Sequence, residues 1–148
     1  MVKELLAGGY LKVHPSDEGQ AKKLLLRAAR DIKTARANIP IDEEAAYTFA
    51  YLAMLRSGRA LLFLKGYRPA DGRQHKTIVE AAGFFLGPKF TDLADCFDMM
   101  RRKRNQFTYE PDLPLSASEV KQALASAESF VGEIRRFIKG DYPELDLG

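Results

Sequence analysis

Along most of this chain, apolar residues recur at the three-and-four spacing of a single helix face. In the first long stretch they fall at Ala21, Leu24, Leu25, Ala28, Ile32, Ala35 and Ile39. Ser16 and Asp17 mark its start and Pro40 its stop. Lys23, Arg27, Arg30 and Thr34 lie opposite, and Leu26 falls outside the stripe, where it is expected to meet another element or another chain. Asp42 is placed to cap a second helix, roughly Glu43 to Lys65, with Glu43 and Glu44 at the positive end of its dipole. That segment is apolar nearly all round, from Tyr47, Phe49 and Tyr51 to Phe63 and Leu64, the pattern of a helix surrounded by its neighbours. Ser57 and Gly58 within it let a neighbour approach closely, Gly66 caps its end, and Pro69 prevents continuation.

Asp71 with Gln74 resembles a capping box for a shorter helix through Ile78, Ala82 and Phe85, which Gly87-Pro88 ends. The next helix, about Thr91 to Thr108, has the stripe Phe90, Leu93, Phe97, Met100, Arg104, Phe107, so an arginine stands where an apolar residue is due. Ser116 with Glu119 forms a capping box for a last helix, whose stripe runs from Val120 to Ile138 before Gly140 and Pro143. A short helix around Lys3 to Ala7 is expected across one end. No stretch shows strand alternation flanked by hairpin turns. The fold predicted is all-α, an up-and-down antiparallel bundle of four to five helices, because short connections reverse the chain. One domain is expected over residues 1–148, with a short N-terminal segment, 1–15, and an acidic tail, 141–148.

The 148 residues are 46% apolar and 10% aromatic, a composition that supports a packed core. The 23 Lys and Arg against 20 Asp and Glu leave a net charge of +3, too small to imply a partner. Its distribution says more. Lys22 to Arg36 holds six basic residues opposed only by Asp31, and Arg101-Arg102-Lys103-Arg104 is four cations in a row. The tail beyond Gly140 carries Asp141, Glu144 and Asp146 and no base. If the two basic runs meet, they make a field suited to an anion such as nucleic acid, although the first run alone is more simply a solvated face. The single cysteine, Cys96, excludes an intramolecular disulfide, and with two histidines leaves no zinc site of the usual spacing. Met1 to Leu11 lacks the long apolar core of a secretory signal, and Arg56 and Arg59 interrupt the most apolar stretch, so a cytoplasmic protein without a membrane span is expected.

Arg101, Asn105 and Tyr109 are spaced to share one helix ridge, beside Arg104 and Thr108. An arginine on a largely apolar face needs an acceptor, a partner subunit or a ligand. A buried carboxylate, a loop cap or an early exit of the helix into solvent accounts for Arg104 equally well. Asp92, Asp95 and Asp98 are three apart and are expected to neutralise the cations that follow, rather than hold a metal; no cofactor is expected. Gly66 to Gly72 lacks the spacing and the following Lys-Ser/Thr of a phosphate-binding loop and fits a helix cap and turn. Cys96 fits a small core or near-core hydrophobe. His14 and His75 are remote in sequence from the arginine run, and His75, at the start of the short helix, is expected to be exposed or associated with the cap.

The run Arg101-Arg102-Lys103-Arg104-Asn105-Gln106-Phe107-Thr108-Tyr109 resembles the signature region of HEPN domains, in which an Arg, often followed by a polar residue such as Asn, precedes a His by four to six residues. Ala45 to Gly66, with Tyr47, Tyr51, Ala53 and Leu55, and the Gly66-Tyr67-Arg68-Pro69 turn leading to His75, are similar to the central helix and following loop of prokaryotic HEPN proteins. The resemblance covers about Ser16 to Lys139. It implies a helical bundle that pairs as a two-fold homodimer, with the Arg and His of both subunits in a shared cleft. Many such proteins are metal-independent ribonucleases of toxin-antitoxin or defence modules. Others bind RNA or protein without catalysis, and small prokaryotic ones are often paired with a minimal nucleotidyltransferase. Arg104 matches the family arginine and Asn105 its polar neighbour, but Tyr109 stands at the histidine position. Tyrosine, with an ordinary pKa near ~10, is a poor base at neutral pH, yet it can donate a hydrogen bond or stack on a base. The leading expectation is therefore RNA or nucleotide binding by Arg101, Arg102 and Arg104, with Asn105 positioning and Tyr109 stacking. The alternatives are a ribonuclease toxin acting through Arg104, Asn105 and Tyr109, and a non-catalytic partner of a nucleotidyltransferase.

Overall fold

The computed structural model describes residues 1–70 and 72–147. In chain order, its elements are α1 (Val2–Ala7), β1 (Leu11–Val13), α2 (Glu18–Asn38), α3 (Glu43–Leu64), β2 (Tyr67–Pro69), α4 (Gln74–Leu86), α5 (Thr91–Tyr109) and α6 (Ala117–Asp141), with a 3-10 turn at Pro88–Phe90 before α5. The fold is the predicted all-α bundle. Asp17 caps α2 by accepting from the Gln20 amide, Asp42 caps α3 by accepting from that of Ala45, and Ser116 with Glu119 closes a reciprocal capping box on α6. Each of these satisfies amides that the first helical turn would otherwise leave unpaired. At α4 the residue before the helix is Arg73, with no side-chain cap; Asp71, the expected capping residue, lies outside the described residues.

α3 is the central helix. Ala46, Tyr47, Tyr51, Met54, Leu61 and Leu62 are buried on its several faces, packed by α2, α4, α5 and α6. Phe97 of α5 and Phe130 of α6 meet beneath it with ring centroids 4.9 Å apart, and burying a side chain of this size stabilises the fold by roughly 2–3 kcal/mol. Gly58 lets α4 approach α3 closely: a Cβ there would stand 3.0 Å from Cγ2 of Ile78.

α2, α3, α5 and α6 alternate in direction. Arg56 of α3 reaches Asp31 of α2, Phe107 at the end of α5 lies on Tyr47 near the start of α3, and Lys103 of α5 reaches Glu119 at the start of α6. α4 departs from this alternation and runs in the same sense as α3, with its first turn beside Tyr51 and Phe85 near its end stacked on Tyr67. The segment between the two helices makes this possible by travelling back along α3. It contains β2, which pairs antiparallel with β1 in the register Leu11 with Pro69, Lys12 with Arg68 and Val13 with Tyr67. The sequence pattern predicts no strand, and this pair corrects it. Three-residue strands joined across two helices leave no local alternation to detect. Gly66 turns the chain into β2 with φ +87°, a conformation disfavoured for any residue with a Cβ.

The two basic runs do not meet within the chain. α2 packs on α3 and α6, whereas α5 packs on α3, α4 and α6. Several α2 cations are also matched locally: Arg36 with Glu128, Lys22 with Asp146 at 3.9 Å, and Arg27 with Asp31 at 3.6 Å. Asp31 is 1% exposed and sits 2.5 Å from a guanidinium nitrogen of Arg56. The acidic tail docks on the bundle: Tyr142 donates to the Leu64 carbonyl at 2.9 Å, Asp141 pairs with Lys65 at 3.0 Å, and Leu147 is buried. Leu26 is exposed on α2 and borders a shallow groove between α2 and α6. Among the described residues, no helix is long and apolar enough to cross a membrane.

Candidate functional site

The parallel placement of α4 brings together side chains that are far apart in sequence. Tyr51 is fully buried midway along α3, and its hydroxyl lies 2.9 Å from Nδ1 of His75 in the first turn of α4. Burial pushes the phenol pKa up, against a smaller opposing influence of Arg104 and Arg101, so Tyr51 keeps its proton. A buried hydroxyl must place that proton on an acceptor, and among the described residues the partner is Nδ1 of His75. Nδ1 is then the acceptor, which leaves the ring proton of neutral His75 on Nε2; the tautomer follows from hydrogen-bond accounting. Burial lowers the His75 pKa, and the positive charges of Arg104, Arg101 and Arg59 lower it further. His75 is thus a neutral imidazole held among cations. The sequence expectation of an exposed or cap-associated histidine is corrected: the ring is half-buried and fastened to the core.

Arg104 answers the question its position raises. Its guanidinium carbon lies 6.0 Å from the Tyr51 ring centroid, and among the described residues it has no carboxylate partner. The neighbouring cations are paired. Asp98 accepts from Nε of Arg101 at 3.0 Å and faces Nε of Arg102 at 3.4 Å, as the spacing predicts, while Lys103 reaches Glu119 at 3.4 Å. The two arginines of α3 divide in the same way. Arg56 is neutralised by Asp31, but Arg59 lies over the Phe63 ring at 5.6 Å, and its Nε is buried without a hydrogen-bond partner among the described residues. An arginine cannot shed its charge, so a partly buried guanidinium without a counterion favours an anion.

The other residues singled out by spacing stand apart from this cluster. Arg102 and Asn105 are exposed. Tyr109, the last residue of α5, is 78% exposed and makes no ring contact or hydrogen bond with Arg104. Thr108 donates its hydroxyl to the Arg104 carbonyl at 2.8 Å. Cys96 is half-buried and borders a cavity with Tyr47 and Met99. Among the described residues, no group of three or more His, Cys, Asp or Glu side chains is arranged to hold a metal. A groove of about 520 Å3 runs between α4 and α5, lined in part by Lys76, Val79, Gly83, Phe84, Ala94 and Asp98.

Sequence spacing finds Arg104 and Arg101 but not Tyr51, Arg59 or His75. The first two share a ridge of α3 through i, i+4, i+8 with Leu55, a pattern visible in the sequence but indistinguishable there from core packing. No local signal identifies His75, because its contact depends on the direction of α4.

The molecule is thus a helical bundle with an arginine-rich, histidine-containing cluster where three helices meet. Residues 21–137 match the HEPN domain family, a range that contains every member of this cluster, and the chain belongs to that family. No curated protein matches the chain.

Proposed function

We propose that this HEPN domain binds RNA or a nucleotide, and that Arg104, flanked by Arg101 and Arg102, holds the phosphate. The observation that carries this reading is the half-buried Arg104 guanidinium, backed by the Tyr51 ring and without a carboxylate. Phosphate neutralisation by arginine supplies the sequence-independent part of nucleic-acid affinity and makes it salt-dependent. Asn105 and Tyr109, exposed on the last turns of α5, can reach the sugar or stack on a base without rearranging the core. Pairing of two chains, in a toxin-antitoxin or defence-type module, belongs to the same reading. The exposed Phe84 and Met99 on α4 and α5 support the pairing, and the molar mass in solution tests it.

The test of binding is fluorescence anisotropy with a labelled single-stranded RNA across a salt series. Affinity is expected to fall steeply with salt, and Arg104→Gln to weaken binding about tenfold or more at low salt. Absence of binding at low salt, or binding indifferent to Arg104→Gln, would overturn the proposal. Metal-independent cleavage that disappears in Arg104→Gln and Tyr109→Phe would move the site to the ribonuclease reading.

A further inference from the structure

The cluster extends beyond α5, and its charge balance specifies the anion. Within the cluster, two guanidiniums lack a carboxylate partner among the described residues, Arg104 from α5 and Arg59 from α3. His75 from α4 is anchored through Nδ1 by Tyr51, the residue whose ring Arg104 faces, and Arg59 stands two turns further along the same ridge of α3, close enough for its charge to act on the His75 ring. With Nδ1 engaged, the remaining ring nitrogen is an N–H donor, unable to accept a proton while the Tyr51 bond is kept. Arg101 completes the group but shares its charge with Asp98. The uncompensated charge is therefore that of two guanidiniums, supplemented by one neutral donor. An internal phosphodiester carries one negative charge, whereas a terminal phosphate is close to a dianion at neutral pH.

We propose that Arg59, His75 and Arg104 form a pocket for a terminal phosphate, a phosphomonoester dianion, at the end of an RNA chain or on a mononucleotide. This deepens the reading given above and rests on it. Arg59 and Arg104 supply charge, and Nε2 of His75 donates a directed hydrogen bond. Tyr51 is a positioning residue that fixes which nitrogen of His75 carries the proton. No proton is transferred and no bond to phosphorus is broken in this step.

The experiment compares one short RNA oligonucleotide carrying either a 5′-phosphate or a 5′-hydroxyl, and in parallel AMP and adenosine, by calorimetry. Native protein is expected to prefer the 5′-phosphorylated RNA about tenfold, the worth of a charge-assisted contact. Arg59→Gln and His75→Phe should each remove most of that preference, the loss falling mainly on the 5′-phosphorylated RNA. Preference for AMP over adenosine without preference between the RNAs would assign the pocket to mononucleotides; the converse would assign it to RNA ends. Equal affinities within both pairs, with binding still dependent on Arg104, would overturn the terminal-phosphate pocket and leave the broader reading intact. Failure of every ligand to bind at low salt would overturn both. Arg59 is half-exposed and its replacement leaves the Tyr51 bond in place, so it provides the decisive variant should His75→Phe unfold.

Discussion

The hydroxyl of Tyr51 and Nδ1 of His75 lie 2.9 Å apart, joining the buried middle of α3 to the first turn of α4. Removing this hydroxyl leaves a half-buried imidazole nitrogen without its donor. Tyr51→Phe is expected to destabilise the fold by about 1 kcal/mol in urea unfolding, with the ring itself still packed on Phe97. It should also release the tautomer of His75, seen as a change in the two imidazole 15N shifts. Unchanged stability together with unchanged shifts would show that the bond does not govern His75.

His75 should make stability pH-dependent in a definite direction. Its pKa in the fold lies below the ordinary value, through burial and through the charges of Arg104, Arg101 and Arg59. The groups facing it are Tyr51 and Arg59 from α3 and Arg101 and Arg104 from α5, with Asp98 near Tyr51 and paired to Arg101. Above the ordinary pKa of about 6.5, both folded and unfolded states hold a neutral ring and His75 contributes no slope. As pH falls below that value, the unfolded chain takes up a proton that the folded chain refuses, so stability declines until the folded pKa is reached. Urea unfolding of native protein and His75→Gln across pH 7.5 to 5 should diverge in this window, the native protein losing more. Parallel curves would contradict the placement of His75.

Asp31 is the counterpart that makes Arg59 and Arg104 conspicuous, because it shows what this fold does with an arginine it intends to neutralise. Asp31→Ala strands the half-buried Arg56 and is expected to cost about 2–3 kcal/mol, at the low end for a broken buried pair because Arg56 can recover some solvent. A loss as small as that of Arg36→Ala, whose pair with Glu128 is exposed, would mean that the Asp31 site is wetter than its 1% exposure indicates.

The helices were legible because their signals are local. The Ser116-Glu119 box, Asp17, Asp42 and the apolar stripes each report on a few consecutive residues, and the observed helices begin and end within a residue or two of those marks. Arg104 was legible for the same reason, as a break in a stripe. The rest depends on non-local pairing. The three-residue strands β1 and β2 send the chain back along α3, and only that return brings His75 to Tyr51. Arg59 could not be told from Arg56 in sequence; what separates them is that Asp31, on another helix, faces only one of the two.

His75 and Arg104 belong to one anion site in this proposal, and imidazole 15N resonances under ligand titration report on both residues at once. Saturating native protein with AMP or with 5′-phosphorylated RNA should shift the Nε2 resonance of His75 and leave Nδ1 typical of an acceptor, and Arg104→Gln should abolish the response at the same ligand concentration. A His75 ring that stays unperturbed while the ligand is bound would place His75 outside the anion site.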